Sequence, residues 1–151
     1  MARPIRYVHT NLVARDWKSL AQFYIDVFGC TLKPPERDLK GKWLVDATSL
    51  HDARIRGIHL QLPGYGEDGP TSEIFQYSSM TRGVAHKINR PGFGHIAFAV
   101  GNVQQMLEKV IRNGGGKVGD RVSTEIKGAG KIEFVYASDP EGNIVELQKW
   151  E

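Results

Sequence analysis

Two histidines and two glutamates recur at equivalent places in the two halves of this 151-residue chain. His9 and His95 lie 86 positions apart, and each begins an apolar stretch that a helical pattern follows. Glu73 in TSEIFQY and Glu146 in NIVELQKW each follow an acidic-glycine turn signal. Two imidazoles and two carboxylates suit one divalent cation, because the two negative charges neutralise the ion. The four residues therefore predict a metal site, and Zn, Ni, Co, Mn and Fe(II) all accept nitrogen and oxygen ligands of this kind.

The elements that must position these residues repeat as well. Asp16 and Asn102 are equivalent N-cap residues, and after each of them apolar residues recur at the spacing of an amphipathic helix. Gly29 and Gly115 stand at equivalent places beyond the two helices, where glycine favours termination. Two further strands are expected between each helix and the strand that carries the glutamate, at GKWLVDAT and RIRGIHLQLP in the first half and at KVGDRVST and KIEFVYAS in the second. With that final strand, each half is predicted to have the order β-α-β-β-β.

This order of elements predicts a single domain of the α+β class, built from two tandem βαβββ modules. Module one is assigned to residues 5–78 and module two to residues 93–151. A polar linker at residues 79–92 joins them. The linker is long for a connection without secondary structure, and loops of that kind are often functional.

Strand alternation predicts that the four residues face away from the helix-covered core. In GHIAFAV, Ile96 and Phe98 share the core face, whereas His95 lies on the opposite face. Glu146 lies between two core candidates, Val145 and Leu147. A carboxylate on such a face needs a positively charged partner, which a bound cation supplies.

Charge and composition limit the classes of partner. The 20 basic and 17 acidic residues give a net charge of +3 without a long basic run, so nucleic-acid binding is not expected. No apolar run reaches membrane-spanning length and the N-terminus lacks the apolar segment of a signal peptide, so no membrane association is expected. The single cysteine, Cys30, cannot form an internal disulfide, which indicates a reducing, cytoplasmic location. Basic linker residues such as Arg82 and Arg90 can attract an anionic group of a small substrate.

On these motifs the sequence resembles the vicinal oxygen chelate superfamily, which includes glyoxalase I, methylmalonyl-CoA epimerase, extradiol dioxygenases, and bleomycin and fosfomycin resistance proteins. The resemblance covers essentially the whole chain and depends on HTNLVARDWKSLAQFYIDVFG, GPTSEIFQY, GFGHIAFAV and DPEGNIVELQKW. It implies paired βαβββ modules that form a curved mixed sheet around a metal-binding cleft, often in a homodimer. The residues that match the glyoxalase I and epimerase ligand pattern position for position are His9, Glu73, His95 and Glu146.

The resemblance implies a glyoxalase-type lyase or isomerase that acts on a small oxygenated substrate. One divalent metal ion per chain would stabilise an enolate of that substrate. Glu146 and Glu73 would then act as acid and base in addition to binding the metal. Further candidates for substrate contact are Asn11, His59, Tyr77, Arg82 and Arg90.

Two alternatives remain open. The first is an Fe(II) ring-cleaving dioxygenase, although that class generally uses two His and one Glu and has no counterpart of Glu73. The second is a resistance-type protein that binds a small molecule without catalysis, although such members usually lack the metal ligands. Superfamily members that hold glutathione often carry an Arg four residues after the first ligand and an Asn four residues after the first Glu. Val13 and Tyr77 occupy those positions here, so a glutathione conjugate is not the expected substrate.

Overall fold

The computed structural model describes Met1 and residues 3–151, and this part of the chain divides into two compact units. The units are Met1–Arg82 and Gly83–Glu151, and each contains its own mixed sheet. The expected α+β class is therefore confirmed. Among the described residues, no helix has both the length and the apolar character needed to cross a membrane.

The first unit contains four strands and two helices. In chain order they are β1 (His9–Val13), α1 (Trp17–Phe28), β2 (Thr31–Lys40), α2 (Lys42–Thr48), β3 (Arg54–Gln61) and β4 (Thr71–Tyr77). The strand order in the sheet is β1-β4-β3-β2, so the first strand lies at one edge. Strand β1 runs parallel to β4, whereas β4 with β3 and β3 with β2 are antiparallel.

Helix α1 begins and ends where the sequence signals predict. The Asp16 carboxylate accepts a hydrogen bond from the Ser19 backbone N–H at 3.1 Å, and Gly29 adopts a left-handed φ of 74°. The helix packs against β3 and β4, which cover its apolar stripe. The buried residues of this interface include Leu20, Tyr24, Val27, Ile58, Leu60 and Ile74.

The prediction of a strand at GKWLVDAT is wrong. Those residues form α2 (Lys42–Thr48), and the second strand of the sheet is instead Thr31–Lys40. This strand contains two consecutive prolines, and its register with β3 shifts between Lys33 and Arg37, where the prolines lie. Proline cannot donate a ladder hydrogen bond, and it is tolerated here because β2 is an edge strand.

Helix α2 covers part of one face of the first sheet. Leu44 of α2 is buried with Ala53, Ile55 and Phe75 in a small apolar cluster. Phe75 shares its strand face with Glu73, because side chains two residues apart point to the same side. One end of this face is therefore apolar and covered, while Glu73 lies further along it.

The elements of the second unit are β5 (Ile96–Ala99), α3 (Val103–Arg112), β6 (Gly116–Lys117), β7 (Val122–Ile126), β8 (Gly130–Ser138) and β9 (Ile144–Trp150). The strand order in its sheet is β5-β9-β8-β6, and β7 also pairs with β8. Strand β5 is parallel to β9, as β1 is to β4 in the first unit. The predicted strand KVGDRVST corresponds to two short strands, β6 and β7, with a break between them.

Helix α3 confirms the predicted N-cap and corrects the predicted end. The Asn102 side-chain oxygen accepts a hydrogen bond from the helix backbone, as a cap requires. The helix ends at residue 112, and it is Gly114, not Gly115, that adopts a positive φ, of 93°. Gly115 serves close packing instead, since a Cβ there would lie 2.4 Å from the Ser138 carbonyl oxygen.

Candidate metal centre

Three potential metal ligands meet in the first unit, and we call them the first-unit cluster: His9, His59 and Glu73. Their ligand atoms lie within 4.8 Å of one another. Nε2 of His59 is 2.7 Å from Oε2 of Glu73, and Nε2 of His9 is 3.5 Å from Oε1. The Glu73 side chain is only 12% exposed, so its charge requires compensation. Two imidazoles and one carboxylate fit a divalent transition metal by the chemistry of their donor atoms.

The sheet register explains why these side chains meet. Glu73 on β4 lies directly opposite Asn11 on β1 and His59 on β3. Residues paired across neighbouring strands project to the same face, so all three side chains share it. Nδ2 of Asn11 donates to Oε1 of Glu73 at 2.8 Å, and Nδ1 of His59 lies 3.1 Å from the Thr71 hydroxyl. Both Glu73 oxygens are therefore held by neighbours.

The surroundings of His59 favour its neutral form. Burial lowers the pKa of His59, and the carboxylate of Glu73 opposes that effect. The positive charges of Arg37 and Lys33 lower the pKa further, as does His9. A neutral imidazole offers a lone pair, which is the form that binds a metal or accepts a proton.

The second unit pairs the other predicted histidine and glutamate. Nε2 of His95 lies 3.0 Å from Oε2 of Glu146, and the Glu146 side chain is 13% exposed. Tyr136 on β8 lies directly opposite Glu146, and the rings of His95 and Tyr136 are 5.1 Å apart. Burial raises the pKa of Tyr136, and the charge of Glu146 raises it further, so the phenol keeps its proton near neutral pH. Tyr136 therefore occupies in the second unit the place that His59 occupies in the first.

The other predicted contact residues have separate environments. Asn11 and His59 both touch Glu73, as described above. Tyr77 is half-buried and packs against the apolar cluster beneath α2, where it lines a pocket of about 260 Å³. Arg82 is exposed at the end of the first unit. Arg90 is exposed, and its guanidinium donates to the Ala85 carbonyl within the same loop at 2.7 Å.

The repeat does not identify His59 as a candidate ligand or Tyr136 as its counterpart, because the two are different residue types. Both lie directly opposite a glutamate on the neighbouring strand. The available sequence signal for His59 is strand alternation in RIRGIHLQ, which places His59 on the same face as Ile55. That signal is incomplete, since pairing His59 with Glu73 requires the register of β3 and β4.

Comparisons with known proteins identify the family. Residues 6–147 match the Glyoxalase/Bleomycin resistance protein/Dioxygenase superfamily, and the chain belongs to this superfamily. The lactoylglutathione lyase of Salmonella typhimurium is 27% identical over 143 residues, which cover 95% of this chain and 91% of that protein. The resemblance inferred from the sequence motifs is thus confirmed.

Solved structures support the same fold. A glyoxalase family protein from Bacillus cereus superposes with a TM-score of 0.81 at 16% identity, covering 99% of this chain and 96% of that one. A glyoxalase I mutant from Zea mays gives a TM-score of 0.63 at 24% identity, covering 95% of this chain and 44% of that one. At these identities the likeness shows the fold alone.

Proposed function

We propose that the protein is a metal-dependent lyase or isomerase of the glyoxalase type that acts on a small oxygenated substrate. The observation that carries this proposal is the pairing of one histidine with one largely buried glutamate in each unit. His9 pairs with Glu73 and His95 pairs with Glu146. Superfamily membership supports the same proposed function, and so does the similarity to a lactoylglutathione lyase.

The proposed ligands are His9, Glu73, His95 and Glu146, and together they would hold one Zn, Ni, Co, Mn or Fe(II) ion per chain. The two carboxylates balance the charge of the ion, and the two imidazoles are ligands that these metals share. A divalent cation bound there supplies Lewis-acid polarisation of a substrate oxygen. His59 and Asn11 orient Glu73, as partners of a ligating carboxylate commonly do.

We assign proton removal to Glu146. Among the described residues, the only hydrogen-bond partner of its carboxylate is His95, which contacts Oε2. Oε1 is therefore available to accept a proton from a substrate carbon. In an isomerisation, the C–H bond breaks towards Glu146 and its electron pair stays with the substrate.

We assign proton return to Glu73, with solvent as the source. Neutral His59 can take up a solvent proton and pass it on to Glu73 across the 2.7 Å between His59 Nε2 and Glu73 Oε2. The substrate then gains one proton for the one it lost, so its composition is unchanged. Holding both Glu73 oxygens fixes the position from which this proton arrives.

The proposed substrate is smaller than a glutathione conjugate. Tyr77 packs into the apolar cluster of its own unit and has no amide to offer at the position where an Asn often holds glutathione. A homodimer and a cytoplasmic location remain predictions, and sedimentation of the purified protein tests the first.

Hydrogen exchange with solvent tests the proposed reaction. Metal-loaded protein is incubated in D₂O with a panel of α-hydroxy ketones and α-keto acids, and loss of each C–H signal is followed by ¹H NMR. We expect exchange for at least one compound, slowed about 100-fold or more by Glu146→Gln, which removes the proposed base and a proposed metal ligand together. Gln104→Glu, which alters charge on the exposed side of α3, is the control and leaves the rate unchanged. Equal rates in Glu146→Gln and the wild type would contradict the assignment of the base.

A ring-cleaving Fe(II) oxygenase is the second candidate, and one observation favours it. His9, His59 and Glu73 form a two-histidine, one-carboxylate set within a single unit, which is the ligand set of many non-haem Fe(II) oxygenases. This candidate predicts oxygen consumption with a catechol after anaerobic Fe(II) loading, abolished by His59→Ala. The glyoxalase-type proposal predicts no oxygen consumption under the same conditions.

A further inference from the structure

We propose that Arg6, Lys33 and Arg37 form an anion-binding subsite beside the first-unit cluster, and that this subsite binds a carboxylate or phosphate group. The three residues line one pocket of about 230 Å³. Identifying the bound anion as part of the substrate rests on the proposed function, whereas the subsite itself requires only the first unit.

The pocket and the cluster share residues. His59 and Thr71 line the pocket together with the three cations. His59 is also the direct neighbour of Glu73, with 2.7 Å between Nε2 and Oε2. A molecule that fills the pocket therefore reaches the residues that surround the proposed ligands.

The strand register places the positive charge of Lys33 on the same face of the sheet as Glu73. Lys33 on β2 pairs directly with His59 on β3, which pairs with Glu73 on β4, which pairs with Asn11 on β1. Residues paired in this way project to the same side of a sheet. Neighbouring strands lie about 4.8 Å apart, so Lys33 and Glu73 are separated by about 10 Å, a distance that one small molecule spans.

The three cations have no carboxylate partner within the part of the chain that the structure describes. Lys33 donates to the Glu67 carbonyl at 3.1 Å and Arg37 donates to the Pro35 carbonyl. These contacts orient the side chains but leave both charges uncompensated. Several other basic residues do pair with carboxylates, among them Arg54 with Asp38, Lys42 with Asp46, and Lys117 with Asp120.

The chemistry of the subsite defines a substrate class. A guanidinium presents two parallel N–H donors that match a carboxylate or a phosphate, and a lysine adds a mobile positive charge. The substrate is therefore a small oxygenated compound that carries an anionic group a few bonds from its reacting carbon. The linker residues Arg82 and Arg90, expected from the sequence to attract such a group, are not needed for this role.

Anion titration of the protein, stripped of metal and dialysed, tests the subsite directly. Inorganic phosphate and acetate are the probes, and the backbone amide signals of Gly69 and Thr71 in ¹⁵N-HSQC spectra are the readout. We expect saturable shifts that Arg37→Gln and Lys33→Gln weaken about 10-fold or more in Kd. Lys40→Gln removes the same charge from the same strand outside the pocket, and it leaves Kd within about 2-fold.

Either anion binding more tightly supports the subsite and identifies the group it selects. Shifts that do not saturate, or equal Kd values in Arg37→Gln and Lys40→Gln, would overturn it. The metal content of the same preparations, measured before stripping, separates the two claims. Bound metal without anion binding refutes the subsite alone, whereas anion binding without metal refutes the proposed function alone.

Discussion

Removal of the His59 side chain probes whether this residue orients Glu73 or binds the metal itself. In His59→Ala, Glu73 loses the partner of Oε2 and keeps the Asn11 hydrogen bond to Oε1. The carboxylate can then rotate about the remaining contact. We expect metal binding to weaken but to persist, because the four proposed ligands are still present.

The expected loss of metal affinity follows from the lost contact between His59 and Glu73. A hydrogen bond to a charged group contributes about 1.5–3 kcal/mol, which corresponds to about 10- to 150-fold in Kd. Loss of an outer partner of a metal ligand commonly costs about 10- to 100-fold in affinity. The two ranges agree. Solvent screens the contact little, because the His59 and Glu73 side chains are only 16% and 12% exposed.

Competition against a chromophoric chelator measures this Kd for Zn²⁺ or Ni²⁺. His51→Ala is the matched control, since the His51 side chain is 94% exposed and forms an ion pair with its neighbour Asp52. His9→Ala is the comparison for loss of a proposed ligand. Thermal unfolding of each metal-free variant shows whether the fold is retained.

Two results would refute the reasoning. An unchanged Kd in His59→Ala would mean that the contact with Glu73 does not orient the carboxylate. Loss of binding as complete as in His9→Ala would mean that His59 is itself a ligand, as the oxygenase alternative requires. An intermediate loss, with His51→Ala unaffected, is the expected outcome.

Two further predictions concern groups outside the candidate site. Burial raises the pKa of the Cys30 thiol to about 11 from an ordinary value of 9.0, so native protein at pH 8 reacts with Ellman's reagent far more slowly than unfolded protein. The folded state retains this proton, so the contribution of Cys30 to stability is complete below pH 9.0 and is lost as the pH rises towards about 11. Asp139 is 2% exposed and accepts hydrogen bonds from the backbone N–H groups of Glu141 and Asn143. Asp139→Ala should lower the free energy of unfolding by about 3 kcal/mol in urea titrations.

Each of these predictions has a control. Equal rates of thiol modification in native and urea-unfolded protein would contradict the burial of Cys30. Asp120→Ala removes an exposed carboxylate whose partner is the surface residue Lys117, and it should change stability by less than about 1 kcal/mol. A loss of similar size in Asp139→Ala would show that its hydrogen bonds contribute little.

Sequence patterns predicted the elements that local chemistry controls. The caps at Asp16 and Asn102 are found in the structure, because a side-chain oxygen that satisfies free helix N–H groups acts within a few residues. Alternation also placed His95 on the exposed side of its strand, with Ile96 and Phe98 half-buried on the other. These features do not depend on distant parts of the chain.

Features that depend on tertiary packing were not predictable. The apolar residues of GKWLVDAT fit a short strand as well as a short helix. The helix is favoured because it buries Leu44 against Phe75. The two prolines in β2 argue against a strand in the sequence pattern. The strand forms because it pairs with β3 at the edge of the sheet. The roles of His59 and Lys33 depend on strand register, which the nine-residue connection between β3 and β4 leaves undetermined in the sequence.

His9, Glu73, His95 and Glu146 are proposed to bind a divalent metal, and metal analysis of the untagged protein measures whether they do. Inductively coupled plasma mass spectrometry of protein purified without chelators should give close to one Zn, Ni, Co, Mn or Fe per chain. His9→Ala and Glu146→Gln should each remove that metal while circular dichroism shows a retained fold. Less than about half a metal per chain, unchanged by either substitution, would contradict the account.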